Sequence, residues 1–414
     1  MKINSAHMLV ILSVMLSRSA LGLGVSPKVP ARVATDRGNQ AGADRDAQHM
    51  PFELASSVVF VQVRINESDP LWFVLDSGSD NSYISVGAAK ALGLRLVKTG
   101  EGAPVAGGSV QESVVRNVSV SVAGVRLQNQ TILAGSFFQS FEPVIGHRWD
   151  GILGGDFIRR FVVEIDYEAR VVTLSDSKSF QYRGRGEVLP IKLIGTTPAI
   201  RGKLVQSGQP PVEGYYAIDT GGSAGVALFG PFIKKHSLID RAQKTISVSA
   251  PNIGGQMKAL IGRVTSLQLG QIIISNPIAG FSRDATFGGF DGNIGGEVLS
   301  RFSIILDYSR RRVILEPNQH FAEPYEYNMS GMRLVAEGKD GHVFKVSQVM
   351  PNSPAAEAGL GEGDVLTGID GQSTTRFTLG QLNQMLKVDG REYQLRIERD
   401  GNTMQIRIKL RRLI

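Results

Sequence analysis

The chain has 414 residues, 42% hydrophobic and 20% charged, enough apolar mass for about two to four ordinary domains. It contains no cysteine, which excludes disulfides, a thiol nucleophile and an acylated cysteine anchor. The formal charge of +7 falls to +5 if Lys2 and Arg18 leave with an N-terminal segment, and the basic runs Arg310-Arg311-Arg312 and Arg407 to Arg412 lie in or beside strand-like alternation. Solvated sheet faces explain such runs better than a nucleic-acid surface does.

Residues 1–24 read as a secretory signal peptide: Lys2 supplies the positive end, Leu9 to Leu16 an apolar stretch, and Ala20-Leu21-Gly22 a small-residue cleavage site. The apolar stretch is too short to span a bilayer, and a retained anchor is the alternative. Residues 25–51 are polar and aperiodic, which predicts a disordered leader or a propeptide. From Phe52 the chain turns to short β-branched runs: Val58 to Ile65, Leu71 to Leu75, Val114 to Val122 and Val125 to Leu133 are predicted strands. A helical piece, Asp156 to Phe161, precedes a predicted hairpin of Val162 to Tyr167 and Val171 to Leu174.

The same order then recurs. Strands are expected at Ile191 to Ile194, Ile200 to Val205, Tyr215 to Ile218, Thr245 to Ser249, Arg263 to Leu269 and Ile272 to Ile274, and the unit closes with Glu297 to Phe302, Ser303 to Tyr308 and Val313 to Glu316. Phe161-Val162-Val163-Glu164-Ile165-Asp166-Tyr167 and Phe302-Ser303-Ile304-Ile305-Leu306-Asp307-Tyr308 are plainly related. Two homologous β-rich units, 52–175 and 188–317, are therefore expected, with a hinge near Ser175 to Glu187.

The duplication also carries the chemistry. Asp76-Ser77-Gly78 follows the apolar run ending at Leu75, and Asp219-Thr220-Gly221 follows the one ending at Ile218. Downstream stand Asp150-Gly151-Ile152-Leu153-Gly154-Gly155 and Asp291-Gly292-Asn293-Ile294-Gly295-Gly296, 74 and 72 residues beyond the respective aspartates. A lone Asp-Ser/Thr-Gly arises by chance in roughly one chain in four of this length and is otherwise a turn signal, but neither fact explains the matched spacing. Two carboxylates held face to face cannot both ionise cheaply, so one proton is shared. The pair can then take a proton from a water held between them while polarising a peptide carbonyl, with no metal, other cofactor or covalent intermediate required. Gly78 and Gly221 allow close backbone packing, and the Ser77 and Thr220 hydroxyls can tie one loop to the other.

Over about residues 52–316 these motifs resemble the aspartic proteases, and the short loops and Gly-Gly endings are closer to the bacterial retropepsin-like branch than to pepsin. The resemblance implies a mainly β fold: two homologous pepsin/retropepsin-like β-barrel lobes in one chain, with Asp76 and Asp219 as the catalytic pair. It also makes Asp80, two places past the first motif, a candidate for holding substrate backbone. Flaps over the substrate would fall at Gly100 to Gly108 and Pro251 to Gly255, so Gly107, Gly108, Gly254 and Gly255 are candidate substrate contacts. Neither segment carries the tyrosine of a pepsin flap. Asn293 stands where the family prefers an apolar residue, and Gly222 leaves Ser79 without a counterpart.

Residues 328–414 form a third unit. Pro351-Asn352-Ser353-Pro354-Ala355-Ala356-Glu357-Ala358-Gly359-Leu360 reads as a short helix with Ser353 as N-cap and Gly359 as its stop. Gly363 to Leu366 starts a strand that turns at Asp370-Gly371; Leu379, Leu382 and Leu386 recur at helical spacing behind Thr378, and two strands flank Asp400-Gly401. This pattern resembles an α+β PDZ domain of the bacterial, circularly permuted kind. The likeness implies that amides near Met332, Arg333 and Leu334 capture a C-terminal carboxylate, the peptide adding as a strand beside the helix that carries Leu382. A domain that merely packs on the protease is the alternative.

Gly221-Gly222-Ser223-Ala224-Gly225 satisfies Gly-x-Ser-x-Gly, but Ser223 overlaps the duplicated Asp motif and none of the six histidines sits in a triad context. The expectation is an exported, periplasmic aspartic endopeptidase acting on polypeptides as a monomer, its PDZ domain recruiting substrate or regulating. The rival is a catalytically idle two-lobed peptide-binding scaffold.

Overall fold

The computed structural model describes residues 47–98, 103–105, 108–110, 112–239, 244–252, 255–286, 288–338 and 340–414. The signal peptide and all but the end of the leader lie outside the described residues, as do the candidates Gly107 and Gly254.

The protein is mainly β, with seven short helices among the described residues: α1 Val86–Ala91, α2 Phe138–Ile145, α3 Gly155–Ile158, α4 Gly230–His236, α5 Gly296–Leu299, α6 Pro354–Glu357 and α7 Leu379–Met385. Strand Val58–Ile65 shows how the sequence sets this up. Its Val-Val-Phe-Val start is buried on both faces, and its Gln-Val-Arg-Ile end alternates out and in.

The two halves share one topology. In the first, Leu71–Leu75 pairs in parallel with Gly151–Leu153, which runs antiparallel to Tyr83–Ser85, itself parallel to Val125–Gly135. In the second, Val212–Ile218 pairs in parallel with Gly292–Ile294, which runs antiparallel to Val226–Phe229, itself parallel to Ile278–Ser282. The registers agree at homologous residues: Gly151 opposes Phe73, and Gly292 opposes Tyr216.

The halves meet in a seam sheet whose order is Gln48–Pro51, Val171–Ser175, Val162–Asp166, Phe302–Asp307, Arg312–Pro317 and Glu187–Ile194. Across its middle Val162 opposes Asp307 and Asp166 opposes Ser303, while Glu164 opposes Ile305. Glu164 and Ile305 are homologous positions, so an approximate twofold axis passes between them. Asp307 is fully buried there; burial pushes its carboxyl up, but bonds from Ser309, Arg312 and Arg310 outweigh this and hold it below the usual carboxylate range.

The outermost strand corrects the expectation of disorder up to residue 51. Gln48–Pro51 pairs with Val171–Ser175, as Glu187–Pro190 pairs with Arg312–Leu315. Each half thus lends its first strand to the seam. The lone polar surroundings of residues 25–47 hid it, yet His49-Met50-Pro51-Phe52-Glu53-Leu54 parallels Val188-Leu189-Pro190-Ile191-Lys192-Leu193.

The C-terminal unit is a sheet in the order Met332–Glu337, Val343–Val349, Val365–Ile369, Glu392–Arg399 and Asn402–Lys409, with α6 and α7 beside it. Ser353 caps α6 through its hydroxyl, 3.3 Å from the Ala356 amide, and a reciprocal Thr378–Gln381 capping box starts α7. Met332, Leu334, Phe344, Leu382 and Leu395 share its core. This unit rests on the rest of the protein through a buried Lys387–Glu297 pair, 3.9 Å apart, and through α2, which packs along strand Met332–Glu337.

Candidate active site

Both Asp-Ser/Thr-Gly loops lie at the ends of buried strands and meet across the seam. The amide of Ser77 donates to the Thr220 hydroxyl at 3.0 Å and the amide of Thr220 donates to the Ser77 hydroxyl at 3.1 Å. Each hydroxyl in turn donates across to the other half, Ser77 to the Ile218 carbonyl and Thr220 to the Leu75 carbonyl, both at 2.6 Å. All of these groups are buried, so the lattice fixes the two loops as one rigid unit.

This brace brings Asp76 and Asp219 together. Each carboxyl lies close enough to shift the other's titration, and they are only 2% and 1% exposed. Asp76 Oδ1 accepts from the amides of Gly78, at 2.8 Å, and Ser79, at 3.1 Å. Asp219 Oδ2 accepts from Asn293 Nδ2 at 2.6 Å. Close approach requires glycine beside the pair: a Cβ at Gly221 would lie 2.3 Å from Asp76 Cγ, and one at Gly222 would lie 2.6 Å from Asp219 Oδ2. Gly222 thus has a steric reason to differ from Ser79.

Burial pushes the Asp76 carboxyl up, to about 6, against the lowering effect of the Gly78 and Ser79 amides. Burial, followed by the charge of Asp76, pushes Asp219 well above the carboxylate range, with the Asn293 amide opposing the rise. The pair therefore retains a proton that two solvated aspartates would release, and it titrates as a unit.

The downstream aspartates serve a different purpose. Asp150 Oδ2 accepts the Trp72 amide at 3.0 Å and Asp291 Oδ2 accepts the Tyr215 amide at 2.8 Å, while their own amides donate back to the Trp72 and Tyr215 carbonyls. Each clamps its strand against the one that ends in the candidate catalytic aspartate. The glycine pairs that follow seat the halves on each other: a Cβ at Gly155 would lie 2.2 Å from Thr196 Oγ1, and one at Gly296 would lie 1.9 Å from the Ser57 carbonyl oxygen.

Asp80 links the halves: its Oδ1 accepts the Thr196 amide at 2.6 Å and the Thr196 hydroxyl at 2.8 Å, tying the first half to a turn of the second. Gly108 and Gly255 fall in hairpins, Ala103–Val105 with Gly108–Val110 and Ile246–Asn252 with Gly255–Arg263. Met332, Leu334 and Leu382 are core residues of the C-terminal unit, and the Met332 amide donates to the Ser330 hydroxyl at 3.1 Å. The Arg333 guanidinium donates to the Ser249 carbonyl of the second hairpin. Ser223 runs on into strand Val226–Phe229 instead of a helix, so the strand-to-helix elbow of a serine hydrolase is not formed.

Two residues escaped the sequence reading. Tyr167 and Tyr308 are homologous, buried, and have hydroxyls without a partner among the described residues; burial first, then Asp219 for Tyr167 and Asp76 for Tyr308, pushes their phenols up. Their signal was the repeated Asp-Tyr of the closing strands.

A two-fold braced pair of carboxyls on a mainly β frame defines an aspartyl-protease-like protein. The aspartyl protease family model matches residues 61–157, and a PDZ domain model matches residues 345–399. The chain thus combines a retropepsin-like aspartyl protease domain with a C-terminal PDZ domain. The first match contains Asp76 and stops before Asp219, so the second carboxylate is attached to the family by the internal duplication and by the geometry above. No curated protein matches the chain.

Proposed function

We propose that the protein is an aspartic endopeptidase that hydrolyses peptide bonds with a water activated between Asp76 and Asp219. The observation that carries this reading is the convergence of two buried carboxyls on loops held by reciprocal Ser77–Thr220 bonds. In the shared-proton state the ionised carboxylate takes a proton from water as it attacks the peptide carbon, and the protonated partner donates toward the carbonyl oxygen. The tetrahedral intermediate then collapses with proton transfer to the leaving amine. Because both carboxyls belong to one chain, a monomer suffices. The N-terminal signal pattern supports export to a periplasm, where the PDZ domain recruits substrate or regulates cleavage.

Cleavage of a denatured polypeptide by the mature chain tests this. Asp76→Asn and Asp219→Asn are each expected to abolish it, while Ser223→Ala leaves it in place. One observation favours the idle-scaffold alternative: Asn293 already occupies an oxygen of Asp219. Binding of the polypeptide with no cleavage by the unaltered chain would decide for that alternative.

A further inference from the structure

Strand Met332–Glu337 is the edge of the PDZ sheet, paired among the described residues only with Val343–Val349, and it borders α7. A peptide C-terminus joining such a domain needs that edge and the groove between it and the helix. In this chain the space is already in use. Helix α2 of the first half packs along Met332–Glu337, and its C-cap residue Gly146 abuts the first residue of α7, a Cβ there lying 2.8 Å from Leu379 Cβ.

Helix α2 is built for two neighbours. Phe138, Phe141 and Ile145 enter an aromatic cluster of the first half with Phe60 and Trp149. Val144 is buried as well but lies outside that cluster. The same helix also packs on strand Ile246–Asn252, and Arg333, from the PDZ edge strand itself, donates to the Ser249 carbonyl within it. One edge strand therefore holds both α2 and the hairpin Ile246–Asn252/Gly255–Arg263.

From these contacts we infer that α2 is an internal occupant of the PDZ groove, and that a peptide with a free, apolar C-terminus competes with it and thereby releases strand Ile246–Asn252. On the proteolytic reading, on which this regulation rests, that strand leads into the candidate flap Pro251 to Gly255 of the second half, so its release is expected to raise the cleavage rate. Groove occupancy and mobility of this strand become a single equilibrium, biased by whichever ligand binds the groove more strongly.

The test uses full-length mature protein carrying Asp76→Asn, so that neither binding nor exchange depends on catalysis. A fluorescent peptide ending in an apolar residue with a free carboxylate is titrated against it, with the amidated peptide as control. The expected results are about tenfold tighter binding of the free-acid peptide when Val144→Glu is added, and faster amide hydrogen exchange in α2 and in residues 246–252 once peptide is bound. Arg333→Ala, which acts from the PDZ side should Val144→Glu fail to fold, is expected to speed exchange in residues 246–252 without peptide. Equal affinity with and without the second substitution, no binding to either, or unchanged exchange on binding would each overturn the inference. Failure of the proteolytic reading alone would leave these readouts intact and remove only the rise in cleavage rate expected when peptide is added to the unaltered chain.

Discussion

Ser77 and Thr220 each donate a backbone amide to the other's hydroxyl across the seam, and each hydroxyl donates onward to a carbonyl of the opposite half. Thr220→Val keeps the shape but strands the Ser77 amide and the Leu75 carbonyl, both buried, at a cost of roughly 2–5 kcal/mol. Thr220→Ser retains both bonds. Urea denaturation of the two variants is expected to separate them by that amount, and equal midpoints would show that the brace contributes little.

The pH dependence of stability has a definite sign. Asp76 and Asp219 both sit above their unfolded values, so the native chain holds a proton that the unfolded chain releases, and stability falls as pH rises from about 4 through about 6. Asp76→Asn removes the titrating group while its amide oxygen still accepts from Gly78 and Ser79. It is expected to exceed the parent in stability by on the order of 1–3 kcal/mol above that range, the gain vanishing toward pH 4. Thermal denaturation at pH 4 and pH 7 measures the difference; a gain that persists unchanged at low pH would contradict the shared-proton state.

The same proton controls the proposed chemistry. The active form carries one proton on the pair, so kcat/KM is expected to rise as Asp76 ionises through about 6 and to decline only at higher pH, where Asp219, pushed well above the carboxylate range, loses the shared proton. A profile with no rise through about 6 would exclude a singly protonated dyad as the working state.

Asn293 tunes the decline at higher pH. Its amide bond to Asp219 opposes the rise in that carboxyl's pKa. Asn293→Ala is therefore expected to move the alkaline limb of kcat/KM to higher pH, and a limb that stays in place would mean that the amide serves packing alone.

Gly155 and Gly296 seat each half on the other, but their neighbours differ. A Cβ at Gly296 meets the Ser57 backbone carbonyl, which cannot turn aside, whereas one at Gly155 meets the Thr196 side chain. Gly296→Ala is expected to destabilise by about 1–3 kcal/mol or more. Gly155→Ala is expected to destabilise as well, because its Cβ would also lie 2.6 Å from Thr196 Cβ, which no side-chain rotation moves. Melting temperatures unchanged by either substitution would refute this account of the seam.

The strands Val58–Ile65 and Leu71–Leu75, the capped helix α6 and the two Asp loops were all readable from the chain, because each is set by local pattern: β-branched alternation, capping chemistry and exact repetition. Helix α2 was not. Pro143 lies inside it, which argues against a helix locally, while packing of Phe138, Phe141 and Ile145 on Trp149 overrides that preference. The partner of Asp80 was equally hidden, since Thr196 lies 116 residues away on a turn whose position only the seam fixes. What pattern could not supply was contact between distant segments, the level at which α2 meets the PDZ strand.

Strand Gln48–Pro51 sits at the rim of the seam sheet, bonded along one flank to Val171–Ser175. Cuts made upstream of Gln48 leave that hem stitched. A cut beyond Pro51 unpicks the border on the first half alone, leaving the matching strip at Glu187–Pro190 in place and the molecule lopsided. Nicking by a foreign protease at this one stretch would therefore be felt first along the seam sheet, well away from either acidic loop.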